Sequence, residues 1–135
     1  MNINEKQNLI TTTISALDDW DRYEFLITKG KTHNNLKENF QSEDNLISDC
    51  QSQVWISAQI IDGKIFYLVD SDSLIIKGIL HLFTEILNNQ PAEDVANAEL
   101  FFLEKSGLHS KLSPSRANGV NGIMSRIKEI AKNFC

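Results

Sequence analysis

With 135 residues, 41% of them hydrophobic, the chain is long enough for one buried core and too short for two comfortable ones, so a single domain over 1–135 is expected. The 13 Lys and Arg against 18 Asp and Glu leave a net charge of −5 spread along the chain, and no basic stripe with interleaved aromatics appears, which argues against nucleic acid or an anionic membrane as partner. The opening Met1-Asn2-Ile3-Asn4-Glu5-Lys6 lacks the pattern of a signal peptide, and no apolar run approaches the roughly 20 residues of a bilayer span, so a cytoplasmic protein with reduced cysteines is expected.

In chain order, Ile3, Leu9 and Ile10 give a weak helical pattern. A stronger one follows through Ile14, Leu17, Trp20, Tyr23, Leu26 and Ile27, with Gly30 as its expected C-cap and Trp20 and Tyr23 as expected core residues. The polar stretch from Lys31 to Asp49 reads as a long connection, the kind that tends to be functional or mobile. Asp62-Gly63 then separates two β-rich runs, Val54 to Ile61 and Lys64 to Asp70. This is a two-residue type I′ hairpin signature, since both turn positions need positive φ. That turn sets Ile60 opposite Ile65, Ala58 opposite Tyr67 and Ile56 opposite Val69, and so predicts a buried face of Val54, Ile56, Ala58, Ile60, Ile65, Tyr67 and Val69.

Asp70-Ser71-Asp72-Ser73 offers several N-cap side chains to a helix from about Leu74, apolar nearly all round and hence the central core helix. Asn88-Asn89-Gln90-Pro91 ends it, with Pro91 expected at the first position of a short helix. Asn97 to Ser106 reads as another helix closed by Gly107. Ser113-Pro114-Ser115 caps a last one, striped by Val120, Ile123, Met124, Ile127 and Ile130. A hairpin wrapped by helices is an α+β domain.

His33, His81 and His109 are scattered over a loop, a core helix and a late loop, so no metal site is implied. No CxxC pair and no Gly-rich phosphate loop occurs, and a Cys50–His109 pair has no local support. Cys135, the last residue, has the bland reading of a tolerant chain end. What remains is Cys50 at the lip of the first strand, either a buried structural thiol or a nucleophile acting by itself. A lone accessible thiol still attacks a sulfane sulfur, because exchange on sulfur needs access and some thiolate rather than a triad.

Cys50-Gln51-Ser52-Gln53-Val54-Trp55, then Asp70-Ser71-Asp72 before an apolar helix, then Leu112-Ser113-Pro114-Ser115-Arg116-Ala117-Asn118-Gly119 before the final helix, together resemble the SufE family of cysteine-desulfurase-associated sulfur acceptors. Trp20-Asp21-Arg22-Tyr23 with Leu26, Ile27 and Gly30 is similar to that family's opening helix, so the resemblance spans nearly the whole chain. It implies a SufE/IscU-like α+β fold, a hairpin-based antiparallel sheet packed by helices. It implies that Cys50 takes persulfide sulfur from a SufS-like or CsdA-like cysteine desulfurase, stimulates it, and passes sulfur to an iron–sulfur scaffold. No cofactor is implied for this chain, since pyridoxal phosphate belongs to the desulfurase.

The same resemblance makes Asp49, Gln51, Ser52, Asp72 and Arg116 loop-supporting or partner-binding candidates. Asp49 stands where the family usually has glycine, and an aspartate disfavours a neighbouring thiolate and stiffens the chain. Arg116 lies at the start of the last helix, where a cation works against the helix dipole. It is there either as a tether to a buried carboxylate or for the Cys50 loop and the desulfurase. A thiol-based redox protein and a non-catalytic regulator of the desulfurase are the alternatives; an iron–sulfur scaffold is set aside because one well-placed cysteine cannot hold a cluster.

Overall fold

The Asp62-Gly63 turn sets the geometry of the sheet. Both residues have positive φ, 53° and 77°, and the strands they join, β1 (Val54–Ile61) and β2 (Lys64–Ser71), pair antiparallel with Ile60 opposite Ile65, Ala58 opposite Tyr67 and Ile56 opposite Val69. The register is the one a two-residue turn imposes. The computed structural model describes residues 1–33, 45–47 and 52–135. Val54, Ile56, Ile65, Tyr67 and Val69 are buried, but Ile60 is 37% exposed, because burial along β1 fades toward the turn. On β1's outer edge Leu46 bridges Trp55, and the Ile47 amide donates to the Val54 carbonyl at 2.8 Å. On the far side of β2 the two-residue β3 (Gln90–Pro91) pairs with Lys64 and Ile65. A strand so short carries no periodicity for a sequence reading to find.

The apolar series from Ile14 to Ile27 is two helices rather than one: α1 (Ile3–Ser15) and α2 (Asp19–Thr32). The break comes at Asp18, whose carboxylate accepts the Asp21 amide at 2.8 Å as N-cap. The restart changes the helical phase, and Trp20, expected in the core, is 71% exposed; Tyr23 is exposed too, while Leu26 is buried. Gly30 is not the C-cap either. α2 runs on to Thr32, capped by His33, and Gly30 lies buried inside it. Its role is close approach: a Cβ there would run into the Leu74 carbonyl, and one at Gly78 into the Leu26 carbonyl, so α2 crosses the next helix backbone to backbone.

That helix is α3 (Leu74–Leu87), N-capped by Ser73, with Ile76, Ile79, Leu80, Leu82, Phe83, Ile86 and Leu87 buried. Pro91 caps α4 (Ala92–Asn97) rather than opening it, because Pro91 still pairs with Lys64. The helix expected over Asn97 to Ser106 is only α5 (Phe102–Lys105), followed by Gly107 at φ 85°. Buried Gln7 accounts for the missing turn. Its amide donates to the Glu99 carbonyl at 2.9 Å and accepts the Phe101 and Phe102 amides at 2.8 and 3.2 Å, giving this backbone the partners a helix would have supplied. A 3₁₀ turn (His109–Lys111) leads to α6 (Pro114–Asn133), N-capped by Ser113 and joined to the sheet where the Tyr67 hydroxyl donates to the Ile127 carbonyl at 2.6 Å. The buried apolar side chains of sheet and helices form one cluster. Among the described residues no helix is long and apolar enough to cross a membrane.

Candidate functional site

Asp49, Cys50 and Gln51 lie outside the described residues; the chain is described again from Ser52. What the fold does at that point is clear. Gln53, just before β1, is held from three directions: its amide donates to the Asp72 carboxylate at 3.0 Å, and its carbonyl accepts the Ser71 hydroxyl at 2.8 Å and the Asp72 amide at 3.2 Å. Ser71 ends β2 and Asp72 follows it, so the open end of the hairpin is closed by polar bonds where the ladder gives out. Asp72 does a different job from its neighbours in the Asp-Ser-Asp-Ser run. Ser73 caps α3 through the Ile76 amide at 3.3 Å, and Asp72 reaches back across the hairpin.

The corner continues to the last helix. The Ser71 hydroxyl accepts the Ser73 amide at 3.1 Å, and the Ser73 hydroxyl accepts Arg116 Nη1 at 2.7 Å. Gln53, Asp72 and Arg116, far apart in sequence, are therefore joined in one network at one end of the sheet, and Ser52 is the residue that leads into it. Among the described residues the tie that Arg116 makes is to the hydroxyl that caps α3. Beneath it Asp70 is buried, its carboxylate accepting the Ser71 amide at 2.8 Å and lying 3.4 Å from Lys77 Nζ. Gln53, Ser71 and Ser73 were not singled out as site residues from sequence. The signal in sequence was the surplus of capping side chains before α3 for Ser71 and Ser73, and for Gln53 its place in the motif that leads into β1.

A cleft of about 150 Å³ opens beside the corner, lined by Arg22, Tyr23, Leu26, Ile75, Leu112 and Arg116 among others. Tyr23 thus lines a cleft instead of filling the core. Of the three histidines, His33 and His81 face each other, Nδ1 to Nδ1, at 2.9 Å, while His109 is elsewhere, on the 3₁₀ turn. Among the described residues no three metal-ligating side chains cluster. Cys135 is exposed at the end of the chain, its thiol 3.3 Å from the Ala131 carbonyl.

A family model described as SufE, Fe-S metabolism associated domain, matches residues 8–131. An uncharacterized SufE-like protein of Synechocystis is 37% identical over 116 residues, which are 84% of this chain and 73% of that protein. The sulfur acceptor protein CsdE of Escherichia coli is 30% identical over 121 residues, 87% of this chain and 82% of its own. Among solved structures, a hypothetical protein from Thermus thermophilus superposes with a TM-score of 0.80 at 18% identity, covering 96% of this chain and 95% of that one, and supports the fold alone.

Proposed function

Because this chain belongs to the SufE family, we propose that it is a sulfur acceptor for a cysteine desulfurase, with Cys50 as the acceptor thiol. The Cys50 thiolate attacks the outer sulfur of the desulfurase's cysteine persulfide. The S–S bond of that persulfide breaks, a new S–S bond forms on Cys50, and the desulfurase cysteine leaves as a thiolate, so no external oxidant or reductant enters. The pyridoxal phosphate chemistry that makes the persulfide is the desulfurase's. The sulfur then passes to iron–sulfur cluster assembly, and desulfurase turnover rises because its persulfide is cleared.

The observation that carries this reading is the family match across 8–131, which contains Cys50 and leaves out Cys135. The chain geometry is compatible with it. Ser52, two positions after Cys50 in the sequence, leads into the end of the sheet where Gln53, Asp72 and Arg116 are linked. The corner would serve as a fixed base from which a short segment presents the thiol, with Arg116 and Asp72 as its positioning residues and Asp49, Gln51 and Ser52 shaping the segment. The partner would be a SufS-like or CsdA-like desulfurase, and the downstream acceptor an iron–sulfur scaffold.

Intact-mass measurement after mixing with a desulfurase and cysteine tests the proposal. One added sulfur atom, removed by thiol treatment, is expected on the wild type and on Cys135→Ser. Cys50→Ser should stay folded and gain none. Sulfur on Cys50→Ser, or none on the wild type with an active desulfurase, would overturn the assignment.

A further inference from the structure

His33 caps the end of α2, and His81 stands in the middle of α3. Three contacts define their protonation. His33 Nε2 lies 2.9 Å from the Val69 carbonyl on β2, which only accepts, so this nitrogen carries a proton. His81 Nε2 lies 3.2 Å from Glu85 Oε1, the oxygen that also accepts from Lys29 Nζ at 2.8 Å; a carboxylate oxygen that already accepts one donor faces a second here, so this nitrogen carries a proton as well. The two Nδ1 atoms, 2.9 Å apart, can then hydrogen-bond only if one of them is also protonated. Two neutral imidazoles bring one N–H each, whereas the arrangement uses three.

We propose that His33 and His81 share one extra proton and form a proton-dependent clasp, fastening the end of α2 to α3 and β2. With three protons on the four ring nitrogens every contact is made. A fourth puts two imidazolium N–H groups face to face, and with only two the opposed lone pairs repel. The clasp therefore holds over an intermediate pH range and loosens on both sides.

The surrounding charges suit this assignment. Glu85 on α3 favours the shared charge and Lys29 on α2 opposes it; Lys6 from α1 reaches the Glu85 carbonyl at 3.3 Å, and the one carboxylate of β2, Asp70, is 3.4 Å from Lys77. Burial, followed by the opposing pull of Glu85 and then the charges of His33 and Lys29, holds His81 below its ordinary value of 6.5, so the acid side of the range lies below that value. The clasp has a position that matters to the chain. It closes on the residue from which the sequence runs through 34–44 toward Cys50, and on Val69, next to the Asp70–Asp72 segment that holds Gln53.

NMR titration of the ring nitrogens in the full chain tests the inference. In the wild type both rings should report the same two well-separated steps, since the steps belong to the pair. In His81→Gln, His33 should show one step, and in His33→Gln so should His81. Protection of the amides of residues 31–33, corrected for intrinsic exchange, should fall about tenfold on leaving the intermediate range in the wild type and stay flat in either variant. Single independent steps in the wild type, unchanged by removal of the other ring, would overturn the shared proton. A protection profile that is the same in all three proteins would overturn the clasp. Neither result touches Cys50, so failure here is distinguishable from failure of sulfur transfer.

Discussion

Asp72 spends its carboxylate on a backbone amide across the hairpin, and Arg116 spends part of its guanidinium on the hydroxyl that caps α3. Both uses are local to the corner that precedes β1, so the effects of mutation are separable. Asp72→Asn keeps an oxygen facing the Gln53 amide and should preserve its exchange protection. Asp72→Ala removes the acceptor and should cost ~0.5–1.5 kcal/mol of local stability, read as faster exchange at Gln53 and Val54. Arg116→Ala leaves the Ser73 cap in place. It should impair sulfur transfer from a desulfurase while the alkylation rate of Cys50 by a small reagent stays within about tenfold, ~1.4 kcal/mol. Transfer at the wild-type rate in both Asp72→Ala and Arg116→Ala would assign the two residues to the fold alone.

Tyr67 makes the comparable single-residue statement for the core. Its hydroxyl donates to the Ile127 carbonyl, and burial holds its ionisation well above the ordinary phenol value of 10.0. The folded state thus prefers the neutral phenol. That contribution is whole below pH 10.0 and is lost progressively as pH rises from there toward the raised folded value. Tyr67→Phe should lose ~1 kcal/mol at neutral pH and show a flatter alkaline limb in urea unfolding; an unchanged limb would mean the phenol ionises freely in the native state.

At the level of elements, the crossing of α2 on α3 depends on two glycines. Alanine is the better helix former by ~1 kcal/mol, so local propensity alone makes Gly30→Ala and Gly78→Ala stabilising. The carbonyls of Leu74 and Leu26 stand where the new methyl groups would go, and backbone cannot swing aside as a long side chain does. Overpacking of ~1–3 kcal/mol should win. A lower thermal midpoint is expected for each variant, and a higher one for either would mean that the helices separate at little cost.

Across the whole molecule, stability follows depth. Ile79 and Ile56 are 0% and 1% exposed, one on α3 and one on the hairpin face, and each cut to alanine should cost ~2–5 kcal/mol in chemical denaturation. Ile60→Ala, on the same hairpin face but at its exposed end, should cost less than either. Equal losses at Ile56 and Ile60 would show that the turn end of the hairpin is packed more tightly than its exposure indicates.

The hairpin register, the cap of α3 and the last helix were legible in the residues themselves, because a two-residue turn, a period of two and an N-cap are fixed by neighbours within a few positions. The resemblance read from short motifs supplied the family. The break in the Ile14–Ile27 pattern, and with it the outward turn of Trp20, is also a local cap, at Asp18, hidden by an apolar spacing that runs across it; that Gly30 lies inside α2 instead of ending it depended on the close approach of α3. The tie from Gln53 through Asp72 and Ser73 to Arg116, and the meeting of His33 with His81 across 48 positions, arise only when the packed core brings remote polar groups together out of water, where each must find a partner.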